Sequence, residues 1–262
     1  MTKIAVMVSI GRHPVSGTWR YSRNDAAALA CGLALVAEDS AQATLDVWHA
    51  GDPGNPALRD YLALGAGRIN VMPLGDDEDA VAALGDVLKN YTLILTGSRA
   101  DLGLASGMVP YALASRLGAS VVPDAVTLTV RGGDVAVRQF LPKGVRRTVS
   151  ATLPAVVAVH PLAEATPRFA YARMQAGRVV TAQRAATRDD AAASGVHAAW
   201  RWAPANAKPV RLAAVEKRSG HARMLSATTT ESRGGNVVNA GSPVEKAQMI
   251  LAYLREHQLV DY

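Results

Sequence analysis

One cysteine, Cys31, stands in 262 residues, so no internal disulfide framework can form, and this usage suits a reducing cytoplasm. Cys31 sits among Ala, Leu and Gly in a helical pattern, where packing is its expected role. Apolar runs are short: Ile4 to Val8 and Ala155 to Val159 fall far below the ~20 residues a membrane span requires. Met1-Thr2-Lys3 leads straight into the first of them, which is too short for the apolar core of a signal peptide. The expectation is a cytoplasmic chain without membrane insertion. Aromatics are scarce, with only two Phe, and no K/R-rich block or zinc-finger spacing occurs. A net charge of +6 and a pI near 9.7 therefore do not add up to a nucleic-acid binder. The six histidines are scattered, with no pair at helical ligand spacing, so no metal site is expected. Catalytic signatures are missing too: no Walker loop, no nucleophile elbow, no H-E-x-x-H, and no G-x-G-x-x-G after the first strand. Ser98 and Ser106 have no histidine near in sequence to activate them. No catalytic residue is assigned.

What is present is enough for a large core. Hydrophobic residues make up 49% and charged ones 19%, which excludes general disorder and fits one large domain, alone or with an appendage. Charge is uneven. Residues 38–90 are rich in acids, while Arg138 to Arg188 is strongly basic, a pattern that suits an acidic partner protein or a bound phosphate better than a duplex.

The first 120 residues alternate between two patterns. Strands are expected at about 3–9, 43–49, 68–72 and 91–96, and helices at about 24–37, 55–65 and 77–89. A further helix opens near Leu104 or Ser106. Continuous apolar strands alternating with helices predict a parallel sheet covered on both faces, with ligand loops beyond the strands' C-terminal ends. These loops should follow Ser9, His49 and Thr96. From Val121 the rhythm changes. Val126 to Val130 and Val135 to Phe140 predict a hairpin around Gly132-Gly133. Arg146 to Thr152 and Ala155 to Val159 add a third and a fourth strand, giving an antiparallel flap over about 121–160. Residues 160–242 lose periodicity, and only Val210 to Leu212 hints at a strand. A last helix, Pro243 to Glu256, has Ser242 as N-cap and Glu245 completing a capping box; its apolar face of Ala247, Ile250, Leu251 and Leu254 needs a surface to cover it. The chain thus divides into an α/β domain over 1–185, flap included, and an arm with a terminal helix over 186–262.

The stretch YTLILTGSRADLGLASGMVPYALASRLG, Tyr91 to Gly118, carries the most chemistry. Gly97, Gly103 and Gly107 lack a Cβ, so backbone amides there can approach a ligand or adopt positive φ. The helix that follows presents unpaired N–H groups at the positive end of its dipole, a ready phosphate site. Two readings stand: an anion-binding loop, or glycines that serve only to turn the chain. Asp25, at a helix start, offsets the dipole with or without a ligand. Asp101, inside the loop, either bonds turn amides or holds a ribose hydroxyl or a metal beside phosphate.

Taken in order, these segments resemble one family, the electron transfer flavoprotein beta subunits, over nearly the whole chain. KIAVMVS resembles the family's first strand. SRNDAAALACGLAL is similar to its N-P-x-D-x-x-A-x-E-x-A-L-x-L helix, with Ser22 in the Asn place and Asp25 kept. ALRDYLALGAGRINVM resembles the helix ending A-L-A-x-G-A-D-R. GSRADLGLASGMVPYALASRLG is similar to the G-x-Q…D…Q-x-G loop with its L-A-x-x-L-G helix. LPAVVAV, TPRFA and MQAGR resemble L-P-A-V-x-T-V, E-P-R-Y and the M-K-A-K-K ending, and SPVEKAQMILAYLRE resembles the C-terminal helix.

The resemblance implies an open parallel α/β sheet of the adenine nucleotide alpha hydrolase-like, Rossmann type, with a small antiparallel flap and an extended C-terminal arm. It implies pairing with an alpha subunit that holds most of a shared FAD, while this subunit buries an AMP and has no turnover of its own. Electrons would pass from a flavin-dependent dehydrogenase towards a membrane quinone reductase. By position, Met7 takes the end-of-strand place near adenine, Ser22, Arg23, Asn24, Asp25 and Ala50 line the adenosine side, and Arg99, Ala100, Asp101, Gly103, Leu104, Ser106, Gly107 and Met108 form the phosphate loop. The Arg168 region would lie at the flavin side or the subunit contact.

Several positions depart from the family pattern. Arg23 replaces a proline, and the loop is slightly shorter, with Arg99 and Ala105 about where two glutamines belong. LPKGVRR reverses the charge of an acid-Gly-Gly cluster. The tyrosine expected near the flavin is absent from the His13-Pro14 region, and the tail around Arg233 to Asn236 is longer. A second FAD in place of AMP therefore stays open, as does a nucleotide-sensing module of the stress-protein type with no redox role. The segment Arg188 to Trp202, with Trp200 and Trp202, reads either as a dehydrogenase dock or as cover for the core.

Overall fold

The structure is a computed structural model that describes residues 2–39, 43–75, 78–183, 219–221, 224, 239–257 and 259–260. It falls into two compact units, Met1–Trp200 and Arg201–Tyr262.

In the first unit the chain runs β1 (Thr2–Met7), β2 (Ile10–Arg12), β3 (Trp19–Tyr21), α1 (Arg23–Glu38), β4 (Ala43–Gly51), α2 (Leu58–Ala63), β5 (Arg68–Pro73), α3 (Ala80–Leu88), β6 (Leu93–Gly97) and α4 (Val109–Leu117). It continues as β7 (Ser120–Arg131), β8 (Asp134–Phe140), β9 (Arg146–Thr152), β10 (Ala155–Val159), α5 (Tyr171–Ala176) and β11 (Arg178–Thr181). Nine of these strands form one sheet in the order β11-β5-β4-β1-β6-β10-β7-β8-β9. Pairing is parallel from β11 to β7 and antiparallel from β7 to β9. The α/β class with a mainly parallel sheet is as the sequence implies.

Pleating explains why these strands read as unbroken apolar runs. Ile4 and Val6 of β1 pack with α1 and α2 on one face, and Ala5 between them packs with α3 and α4 on the other. Leu84, Leu88 and Leu113 are fully buried on that second face, each worth about 2 kcal/mol of apolar burial.

Three expectations are corrected. Ala155 to Val159 is not a fourth flap strand: β10 lies parallel between β6 and β7, with all five residues buried. A strand with no polar face has to sit inside a sheet covered on both sides. The helix after the Gly-rich loop opens at Val109 and not at Leu104 or Ser106. Gly103 (φ 72), Ala105 (φ 46) and Gly107 (φ 70) are left-handed, which no right-handed helix accommodates. Residues 160–183 are not featureless, since α5 and β11 lie there, with β11 completing the sheet edge beside β5. The β2–β3 hairpin had no counterpart in the sequence reading.

The flap itself is β7, β8 and β9. Asp124 is left-handed (φ 54), and the register shifts between Ala125 and Thr127. Leu153 N–H donates to Gly133 O at the hairpin tip, and Ser120 N–H donates to Pro154 O at the start of β7. Both ends of β7 thus meet neighbouring residues, so the strand doubles back on itself. Leu128, Val135 and Val137 join the α1-side core as a result.

The second unit is described by α6 (Pro243–Glu256) and a few residues around it. Ser242 Oγ accepts from Glu245 N–H and Glu245 returns a bond to Ser242 N–H, so the expected capping box is formed. Val210 to Leu212 and Arg188 to Trp202 lie outside the described residues. Among the described residues no helix is long and apolar enough to cross a membrane.

Candidate functional site

After β5 the chain passes back over β1 and lays β6 on its other side. Strand order reverses there, so the C-terminal ends of β1 and β6 bound the crevice where an open α/β sheet takes its ligand.

The corner that follows β1, Val8-Ser9, is held from three elements. Asp25, in the first turn of α1, accepts from Ser9 N–H at 2.8 Å and from the Ser9 hydroxyl with one carboxylate oxygen. Its other oxygen accepts from Gly97 N–H at the end of β6, at 2.9 Å. Tyr61 of α2 donates its hydroxyl to Ser9 O at 2.6 Å and accepts from Ser22 N–H at 2.9 Å. His49, at the end of β4, bonds Val8 O through Nδ1 at 2.8 Å. A carbonyl only accepts, so Nδ1 carries the proton. His49 is buried, which lowers its pKa and keeps the ring neutral.

Burial raises the Asp25 carboxyl to about 6, partly offset by the bonds from Ser9 and Gly97. Gly97 has a reason beyond turning. A Cβ there would lie 2.3 Å from Asp25 Oδ1 and 2.8 Å from the Asn24 carbonyl carbon. Only glycine lets the start of α1 come this close to β6.

Residues 98–108 then loop out to α4. Asn24 Nδ2 donates to Arg99 O at 3.0 Å, tying the loop to α1. On the other flank, Gly11 of β2 abuts Asp101: a Cβ on Gly11 would stand 2.9 Å from Asp101 Cβ. Arg20 of β3, paired with Gly11, brings its guanidinium to 3.9 Å from Asp101 Oδ2. Left-handed residues alternate along the loop at Gly103, Ala105 and Gly107, the backbone pattern from which anion-binding nests of N–H groups are built. Ala105 holds φ 46 without being glycine, a strain on the order of 1 kcal/mol that it shares with Asp124 and Lys143. Nothing stands within 4 Å of where a Gly103 Cβ would be, so the cradle is open there.

The sequence-derived residues therefore fall in one region. Met7 ends β1, Ser22 caps α1 with Arg23, Asn24 and Asp25 after it, and Ala50 lies near the end of β4. Arg99, Ala100, Asp101, Gly103, Leu104, Ser106, Gly107 and Met108 form the loop after β6, with Ser106 Oγ accepting from Met108 N–H. Ala50 stands on the far side of β1 from that loop, since β4 and β6 flank β1. Asp25 spends both oxygens inside the protein. Ser9, Arg20, His49 and Tyr61 were not among the expected site residues; Tyr61 reads as one more apolar position of an amphipathic helix, and nothing local marks its hydroxyl. Among the described residues no group of His, Cys, Asp and Glu is placed to hold a metal ion.

Two comparisons with known proteins bear on the family of the chain. Residues 16–189 match the electron transfer flavoprotein domain. The electron transfer flavoprotein subunit beta of Chromohalobacter salexigens is 32% identical over 265 residues, covering 98% of this chain and 96% of that protein.

Proposed function

The chain belongs to the electron transfer flavoprotein family, and from that premise we propose that it is the beta subunit of a heterodimeric electron carrier and holds an adenine nucleotide, AMP, in the crevice between β1 and β6. Its alpha partner holds most of a shared FAD. A flavin-dependent dehydrogenase is the electron donor and a membrane quinone oxidoreductase the acceptor, in the cytoplasm.

The observation that carries the nucleotide reading is the loop 98–108 with its left-handed residues, tied to α1 by Asn24 and lying against the β2–β3 hairpin where Gly11 meets Asp101. The residues present fit an adenosine phosphate. The left-handed residues of the loop suit a nest of N–H groups for an anion, and the Arg20 Nε–H beside it is buried without a partner among the described residues. Met7 and Ala50 bring backbone at two strand ends to the adenosine side, where Ser22 to Asp25 begin α1.

When bound, the flavin supplies the one- and two-electron chemistry. This chain's residues bind, orient and shield. Asp25, Tyr61 and His49 fix the Val8-Ser9 corner in one geometry, so the nucleotide meets a preformed surface and loses less on ordering. The basic stretch from Arg138 onwards suits an acidic face on a partner.

Co-purification with the alpha subunit, followed by acid release and chromatography, tests this reading. One FAD and one AMP per heterodimer is the expected result. Two FAD would replace AMP by a second flavin, and a lone chain that binds ATP and has no flavin partner would make it a nucleotide sensor.

A further inference from the structure

Arg20 is under-used for a guanidinium with five N–H groups. Its side chain is 39% exposed, its contact with Asp101 Oδ2, at 3.9 Å, is too long for a hydrogen bond, and its Nε–H is buried with no acceptor among the described residues. The other cation of the hairpin is engaged: the Arg12 guanidinium lies over the Trp19 ring, 4.0 Å from its centre. The hairpin is pressed against the loop through Gly11, so Arg20 faces residues 98–108 by construction.

The loop has the opposite problem. Asp101 puts a carboxylate beside the amide concavity, and a phosphate there would meet a like charge that weakens binding unless a cation stands between. Resting on the nucleotide reading above, we propose that Arg20 is the phosphate-binding residue of this site. Its guanidinium leaves the loose Asp101 contact and takes two phosphate oxygens in a bidentate pair, which aligned N–H groups of arginine favour and a lysine cannot reproduce. The ligand class is an adenosine phosphate whose terminal oxygens reach β3; adenosine alone gains nothing from Arg20.

The test uses the full-length chain purified with its alpha subunit and stripped of nucleotide by dialysis. Dissociation constants for AMP and for adenosine are measured by calorimetry in the parent heterodimer and in Arg20→Gln, Arg20→Lys and Asp101→Asn. Arg20→Gln should weaken AMP by about ten- to a hundredfold and leave adenosine within about twofold, the range for a charge-assisted bond. Arg20→Lys should recover part of the loss, and Asp101→Asn should tighten AMP. AMP binding in the parent should also weaken with salt more steeply than in Arg20→Gln. AMP and adenosine falling together in Arg20→Gln would make Arg20 a purely structural residue and overturn the proposal, as would an unchanged AMP constant. A parent heterodimer that binds neither AMP nor adenosine overturns the nucleotide reading itself, and this proposal with it.

Discussion

Replacing Asp25 with asparagine separates the two things its carboxylate does. Burial lifts the group from 3.8 to about 6, which costs its charged form about 3 kcal/mol. Between those values the folded chain keeps a proton that the unfolded chain has lost. The native state then binds more protons, so stability falls as pH rises through that window. Above about 6 the full penalty of a buried charge remains. Asparagine removes the charge but also one acceptor. Gly97 N–H and Ser9 N–H bond different carboxylate oxygens, so the amide NH2 must face one of two donors. That mismatch costs about 1–3 kcal/mol at any pH. Urea unfolding of both proteins from about pH 4 to 7.5 gives the difference directly. The parent should be the more stable by about 1–3 kcal/mol near pH 4, and the gap should move by about 3 kcal/mol in the variant's favour by neutral pH. His49, whose lowered pKa makes stability rise with pH in its own range, is common to both proteins and cancels. A gap that stays flat with pH, or widens in the parent's favour, refutes the account of Asp25 as a buried carboxylate ionised at a cost.

Other substitutions probe the same corner. Gly97→Ala puts a methyl 2.3 Å from Asp25 Oδ1 and 2.8 Å from the Asn24 backbone, which cannot give way as a flexible side chain would; a loss of 2 kcal/mol or more (order of magnitude) is expected by chemical denaturation, together with weakened AMP retention. Tyr61→Phe leaves Ser22 N–H and Ser9 O, both beneath the site, without their shared partner; roughly 2 kcal/mol should be lost, with the flavin content of the heterodimer unchanged.

The parallel core was legible because β1, β4, β5 and β6 each have a largely apolar stretch buried on both faces, and helices between such strands leave few arrangements. The cap of the terminal helix was legible too: Ser242 caps it and Glu245 completes the box, as the sequence suggests. Strand order was not. Ala155 to Val159 follows three flap strands in the chain, and its sequence gives no sign that it inserts between β6 and β7. The β2–β3 hairpin has three residues in each strand and only one buried position, Gly11, too little for any period to emerge. For the loop, the glycines were visible but their work was divided differently. Gly103 and Gly107 take left-handed turns of the loop, whereas Gly97 makes room for the start of α1. The clamp on Ser9 escaped notice because its members lie as much as 72 residues apart, and each alone reads as a cap or a core position.

The place of β10 also has a bearing on how the chain is made. Until Val159 has been synthesised, β6 has β1 on one side and nothing on the other, because β7 pairs with β10 and not with β6. The nascent chain therefore presents an open, largely apolar strand edge for the time it takes to add the α4 helix and the three flap strands. Such edges recruit other strands and seed aggregation. The doubled-back flap, built from local hairpins that form early, can pack against α1 and wait beside the gap into which β10 then slots. The heart of the sheet thus closes only after the flap is made, and it closes on the edge that carries Gly97.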